Sequence, residues 1–277
     1  MHTVYLIDRT EKHAMPVATL ELIGASIRRS ARDFADDHGI AHALDVRVVA
    51  RGAAVPALNR FDYLVSLQDT LDEPDALGYH STNPDGTPYA VIGVNAILES
   101  PDGSWIEGVN SVSAVIDHEV KETELDRSAT QYVFDGYGRA WAREACDAVQ
   151  SSTYQDRHGV SLSNYVHPNY FIPGAPGPYD ALGVLHAPLS VARGGYVILA
   201  DYSNERDSFG ARRALDEGRG SNMTVATYDG LTVAPDPSGP GTLVISGELP
   251  PWARAQKARG SSRTMRRLLE QQRQHGS

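Results

Sequence analysis

The residues whose types and spacing could do chemistry are His118, Glu119, Glu122 and Asp126, inside the stretch Val115-Ile116-Asp117-His118-Glu119-Val120-Lys121-Glu122-Thr123-Glu124-Leu125-Asp126. On an α-helix, residues four apart lie one above the other. A helix here therefore lines up His118, Glu122 and Asp126 on one face and sets Glu119 beside His118. An imidazole and carboxylates in such a line are ligands for a divalent cation. The pattern reads H-E-x-x-E, one residue away from H-E-x-x-H, in which two histidines hold zinc and the intervening Glu acts as general base. A solvated helix with scattered charges is the competing reading.

Other side chains are weaker candidates. The phenols of Tyr165, Tyr170 and Tyr179 could donate to an oxyanion, although packing anchors are the commoner role in so Pro- and Gly-rich a setting. His80 and His167 are cleft candidates, but a lone His in a turn is more often structural. Cys146 is the only cysteine. No intramolecular disulfide can form, a Cys-ligated zinc site is not expected, and Cys146 reads as a small buried hydrophobe. No G-x-S-x-G elbow, P-loop or dinucleotide fingerprint stands between a strand and a helix, which leaves serine hydrolase, NTPase and dehydrogenase readings without support.

The elements that must position these residues follow from periodicity. Val4 to Ile7 reads as a buried strand. Val17, Leu20, Ile23, Ile27, Ala31 and Phe34 recur every three or four residues between Pro16 and Gly39, the punctuation of an amphipathic helix. Strands are expected at 45–51 and 63–67, and two short strands around Asn83-Pro84-Asp85-Gly86, at 77–80 and 89–94, suggest a hairpin or cleft edge. Asn110 or Ser111 can cap the helix bearing His118, whose apolar face is Val112, Val115, Ile116 and Val120. Residues 127–140 read as a loop or hairpin. From about Ser151 the chain turns rich in Gly, Pro and Tyr, with strands expected at 194–200, 223–228 and 242–245.

This order of strands ending in a helix with His118-Glu119-x-x-Glu122 resembles the N-terminal half of the zincin metallopeptidase fold. More narrowly, the chain is similar to zincin-like proteins of bacteria and tailed bacteriophages. The matching residues are His118, Glu119, Glu122 and Asp126; Glu144, Cys146 and Asp147; and Ser163-Asn164-Tyr165-Val166, Pro168, Tyr170-Phe171 and Gly177-Pro178-Tyr179-Asp180. The similarity spans roughly residues 1 to 200. It departs at Lys121, where an apolar residue is usual, and at Arg127, where Pro is usual.

The resemblance implies roles. His118 and Glu122 become metal ligands and Glu119 the base, with Tyr165 a candidate oxyanion donor. Glu144 lies 22 residues after Glu122, close to the spacing at which thermolysin-like enzymes place a Glu ligand from a following helix. Asp126 competes with it, and Asp147 could orient His118 from behind. Zinc is the expected ion, but a carboxylate-rich site leaves calcium, magnesium or manganese open. Lys121 puts a cation on the metal-bearing helix, an expectation that counts against a working site.

The 277 residues, 41% of them hydrophobic, suffice for a real core. The expected architecture is α/β (α+β): a zincin-like mixed-sheet domain at 1–150, a loop- and strand-rich subdomain at 151–250 and a basic extension at 251–277. That extension has seven Arg/Lys against one acid, a balance of +6, which puts −16 of the formal −10 on the other 250 residues. Nucleic acid is therefore not expected as a partner except through the tail, for which a disordered terminus is the competing reading. With no signal peptide or membrane span recognisable, a cytoplasmic or virion-associated location is the expectation. The function expected is a metal-dependent peptidase acting on peptide substrates, or a degenerate relative. The alternative is a non-catalytic structural protein of a tailed-phage virion, contacting neighbouring assembly proteins.

Overall fold

The computed structural model describes residues 2–41, 44–72, 77–134 and 139–201, together with backbone strands at 222–227, 233–235 and 243–245. The basic extension at 251–277 lies outside the described residues, as does most of 228–242.

The architecture is mixed α/β, built on a five-stranded sheet. Its strands are β1 (His2–Asp8), β2 (Leu44–Val49), β3 (Tyr63–Gln68), β4 (Gly78–Thr82) and β5 (Pro88–Gly93), in the order β2-β1-β3-β5-β4. The first four in that order run parallel, and β4 is an antiparallel edge strand on β5. The β4–β5 hairpin closes through Asn83 and Gly86, the latter at φ 83°, as the Asn-Pro-Asp-Gly stretch predicts.

β1 is buried at every position because strands flank it on both sides and both faces are covered. Val4 and Leu6 face the main core. There they meet Leu20, Ile23 and Ile27 of α1 (Val17–His38) and Val112, Ile116 and Val120 of α3 (Val112–Leu125). Tyr5 and Ile7 face the other side, where Val55 and Leu58 cover them. The short helix α2 (Val94–Leu98) links β5 to the approach of α3. α1 ends at Gly39, whose left-handed φ of 64° lets its N–H return to the last carbonyls of the helix. Among the described residues, no helix is long and apolar enough to cross a membrane.

Beyond α3 the chain builds a second sheet, ordered β11-β10-β7-β6, from β6 (Tyr132–Phe134), β7 (Arg139–Ala142), β10 (Tyr196–Asp201) and β11 (Asn222–Thr227). A two-stranded hairpin of β8 (Thr153–Gln155) and β9 (Ser161–Ser163) lies beside α3, and β12 (Val233–Pro235) pairs with β13 (Leu243–Ile245). A second core gathers Phe34 of α1 and Leu125 of α3 with Trp141, Val149, Tyr165, Tyr170, Phe171 and Val197. The Gly/Pro/Tyr-rich stretch is thereby fastened to the helices, and α3 is held between the sheet and this second core.

Candidate metal centre

The Ser111 hydroxyl caps α3 by accepting the Ala114 N–H at 3.2 Å. With Val112, Ile116 and Val120 in the core, His118, Glu119 and Glu122 face β4 and the segment that follows β7. All three carboxylate or imidazole side chains are nearly buried.

β4 approaches α3 closely because residue 78 is glycine. A Cβ there would stand 2.8 Å from Val115 Cγ1 and 3.0 Å from Glu119 Oε1. Two residues on, the same face of the strand presents His80. Its Nδ1 lies 3.5 Å from Glu119 Oε2 and 3.6 Å from Glu122 Oε2, and its Nε2 lies 3.9 Å from Glu144 Oε2.

Glu144, Cys146 and Asp147 arrive on an irregular segment between β7 and a 3-10 turn at Asp147–Val149, where the spacing argument had a helix deliver Glu144. This segment is pinned from several sides. The Val166 N–H donates to Ala145 O, the Ala192 N–H to Ala148 O, and the Cys146 N–H to Glu122 Oε1 at 3.1 Å. Gly195 packs so tightly on the turn that a Cβ would sit 2.2 Å from Ala148 O. The outcome is that His118 Nε2 faces Glu122 Oε1 at 3.1 Å and Asp147 Oδ1 at 3.2 Å. Asp147 thus meets the same nitrogen as Glu122, the metal-facing side, whereas an orienting role would use the other ring nitrogen.

Burial sets the electrostatics. It pushes the carboxyls of Glu122 and Glu144 above their usual range, Glu144 furthest, with repulsion from neighbouring carboxylates adding to it. Burial alone would depress both imidazoles. Attraction to Glu144, Glu119 and Glu122 overrides it at His80 and raises its pKa to about 10, and Glu122 and Asp147 raise His118 likewise. Burial also keeps the Cys146 thiol protonated.

His118 and Glu119 border a cavity of about 230 Å³, walled by Leu77, Val109, Ala114 and Val115 with Gln150 and Thr153 at its polar side. Apart from His118 and Glu119, its lining side chains are uncharged. One wall of the cluster is thus open to a ligand, while Glu122, Cys146 and Asp147 lie behind it.

The structure brings together His118, Glu119, Glu122, Glu144 and Asp147. It does not bring Asp126 or Tyr165 to them. The Asp126 carboxylate organises the loop after α3, accepting from Ser128 N and Oγ and, at 2.5 Å, from Gln131 N. The Tyr165 hydroxyl donates to Asp37 Oδ2 on α1 at 2.6 Å, and its ring meets Phe34 edge-on at 5.1 Å. Tyr165 anchors the second core, away from any oxyanion site.

Lys121, which counted against the site, is taken up by a buried pair with Asp117. Its Nζ donates to Asp117 Oδ2 and to Ser163 O, both at 2.6 Å, below the rings of Tyr154 and Tyr165. Two residues carry more weight here than their sequence context suggested. His80 belongs to the cluster, and its only local signal is the Gly-Tyr-His alternation on a short strand. Cys146 Sγ also falls among the metal-capable atoms, grouped with His118 and Glu122, so the lone cysteine is not merely a small hydrophobe.

Comparison with family models, with curated proteins and with solved structures finds no match for this chain.

Proposed function

We propose that this chain is a zincin-like metal-dependent hydrolase of peptides, with its cation held by His118 and Glu122. The carrying observation is the split arrangement on α3: His118 and Glu122 turn toward Cys146 and Asp147, while Glu119, one residue from His118, borders an open cavity. The order of elements supports the reading, with one helix before the second strand, an antiparallel edge strand, and the His-Glu helix packed beside that edge.

A divalent cation suits these residues. His80 Nε2 and Glu144 Oε2 are buried without a hydrogen-bond partner among the described residues, a costly state that a cation relieves. Glu119, Glu122, Glu144 and Asp147 form ion pairs with His80 and His118. Imidazole nitrogen with thiol sulfur in the donor set favours zinc over calcium or magnesium. When bound, such an ion supplies a Lewis acid and lowers the pKa of water.

The chain's own residues do the rest. Glu119 accepts a proton at the cavity wall, where its burial sharpens its interaction with a reacting group. Gly78 keeps β4 close enough for His80 to hold Glu119 Oε2 in place. The uncharged walls receive an uncharged side chain of the substrate. A peptide is the substrate class because β4 is a sheet edge beside the cavity, able to pair with an extended backbone.

Purified protein should retain zinc through dialysis, and His118→Ala should lose it. Glu119→Gln should retain zinc while cleaving a denatured-protein substrate about 10²–10⁴-fold more slowly, the range for losing a general base. Wild-type protein free of metal, or Glu119→Gln with undiminished cleavage, overturns the reading.

A further inference from the structure

We propose that the centre holds two divalent cations, the second lodged between His80 Nδ1 and the carboxylate of Glu122, with Glu119 at its edge and Glu144 beside the other ring nitrogen of His80. The inference rests on the metal-binding reading above and extends it.

Two trios of metal-capable side chains meet here: His118 with Glu122 and Cys146, and His80 with Glu119 and Glu122. The ligand atoms of each lie within 4.8 Å of one another. Glu122 belongs to both, and through different atoms. Its Oε1 is 3.1 Å from His118 Nε2 and its Oε2 is 3.6 Å from His80 Nδ1. A carboxylate that turns one oxygen to each of two imidazoles is disposed as a bridging ligand, and adjacent ions of this kind recur in hydrolytic sites.

A second observation points to a ligand at the His80 end. The His80 side chain is 5% exposed, yet its Nε2 has no hydrogen-bond partner among the described residues, and neither does Glu144 Oε2, 3.9 Å away. An ion on His118 and Glu122 alone satisfies neither atom. A second ion on His80 Nδ1 fixes the ring proton on Nε2, which then has Glu144 Oε2 as its acceptor, so both atoms are satisfied.

Charge gives the third argument. Glu119, Glu122, Glu144 and Asp147 are four carboxylates in one buried cluster, and they share the two imidazoles of His80 and His118. One divalent cation offsets half of that negative charge when all four are ionised, and two offset it entirely. Buried charge left uncompensated is costly. The neighbouring Lys121 is engaged by Asp117 and Ser163 O.

The two ends differ in donor chemistry. The His118 end includes the Cys146 sulfur and prefers zinc, whereas the His80 end offers nitrogen and oxygen and admits zinc or manganese.

The test is metal content per chain after loading the full-length protein with Zn²⁺ and dialysing against metal-free buffer. Two equivalents are expected in wild type, and one in His80→Gln and in Glu144→Gln, with far-ultraviolet circular dichroism unchanged. One equivalent in wild type, or two that persist in both variants, overturns the second ion and leaves the single-ion reading standing. No retained metal in wild type overturns both. If the variants do not fold, anomalous diffraction from wild-type crystals soaked in Zn²⁺ decides. A second peak bonded to His80 supports the proposal, and a peak at His118 alone overturns it.

Discussion

Lys121 Nζ donates to Asp117 Oδ2 across 2.6 Å, with both side chains fully shielded from solvent, one turn along the helix that also carries His118 and Glu122. The same Asp117 oxygen accepts the Ser163 N–H at 2.9 Å, so the pair ties α3 to β9. Removing one partner leaves a buried uncompensated charge. Lys121→Met is expected to cost about 3–5 kcal/mol, and the double change Lys121→Met with Asp117→Leu should recover part of it. Urea unfolding measures the loss. Zinc content of the folded fraction should stay at the wild-type value, since Lys121 bonds Asp117 and Ser163 O and none of the cluster's carboxylates; its loss would contradict that.

Gly78→Ala tests the close approach of β4 to α3. The added methyl meets Val115 Cγ1 at 2.8 Å and Glu119 Oε1 at 3.0 Å, so the strand must retreat and carry His80 with it. Overpacking of this kind costs about 1–3 kcal/mol, and metal affinity should fall along with stability. Gly24→Ala is the control. Its Cβ would make ordinary contacts at 3.5 Å with Leu6 and Val46 inside α1, and the change should be neutral or stabilising by up to about 1 kcal/mol. Thermal unfolding and zinc titration of the two variants check both halves.

His38, at the end of α1, should make stability fall on acidification. Burial holds its pKa down at about 4, against 6.5 when unfolded, with Arg143 and His167 pressing the same way and the Val166 carbonyl and Asp37 opposing. The folded protein therefore binds fewer protons than the unfolded chain between those values. Stability is complete above about pH 6.5 and declines as pH falls toward 4, by on the order of 2 kcal/mol after allowing for partial exposure. Urea midpoints at pH 7.5 and 4.5 measure the decline. His38→Gln should flatten this part of it.

Asp156 should act in a lower window. Burial opposes its ionisation, but hydrogen bonds from Ser26, Arg29 and the backbone of His158 and Val160 outweigh it and bring the pKa down to about 2 from 3.8. Its contribution is present above about pH 4 and is lost as pH falls through 2. Because these bonds join α1 to the β8–β9 turn, Asp156→Ala should destabilise the protein at pH 7 by about 1–3 kcal/mol, measurable by denaturant unfolding.

Tyr165→Phe separates packing from catalysis. The phenol bonds Asp37 at 2.6 Å and reaches no atom of the metal cluster, so the variant should lose about 1 kcal/mol of stability. Peptide cleavage should stay within about twofold of wild type. A hundredfold fall, the scale of a lost oxyanion donor, would reinstate a catalytic role.

Local signals carried much of this. The three- and four-residue spacing from Leu20 to Phe34 fixes α1 because a helix buries one stripe, and Gly39 ends it because left-handed φ suits a residue without a Cβ. Ser111 and the apolar face after it fix α3, and with it the line of His118 and Glu122, because four residues make about one turn. The Asn-Pro-Asp-Gly turn marks the hairpin that makes β4 an edge. These depend on neighbours within a few residues, which a chain always keeps.

What pairs across the chain was beyond such signals. His80 joins the cluster from 38 residues before His118, through an antiparallel edge and the missing side chain of Gly78. Asp147 reaches His118 because Ala148 and Gly195 pack backbone on backbone, and Lys121 is taken up by Asp117 and Ser163. Asp126 shares the helix line with His118 and Glu122, yet it falls at the helix end, where nearby N–H donors claim both its oxygens. The sequence by itself determined the helices, the strands and the ligand pair one turn apart, since these follow from local geometry and periodic burial. Only the tertiary structure decided which other side chains meet that pair, because strand order and turn packing set distances that spacing along the chain does not encode.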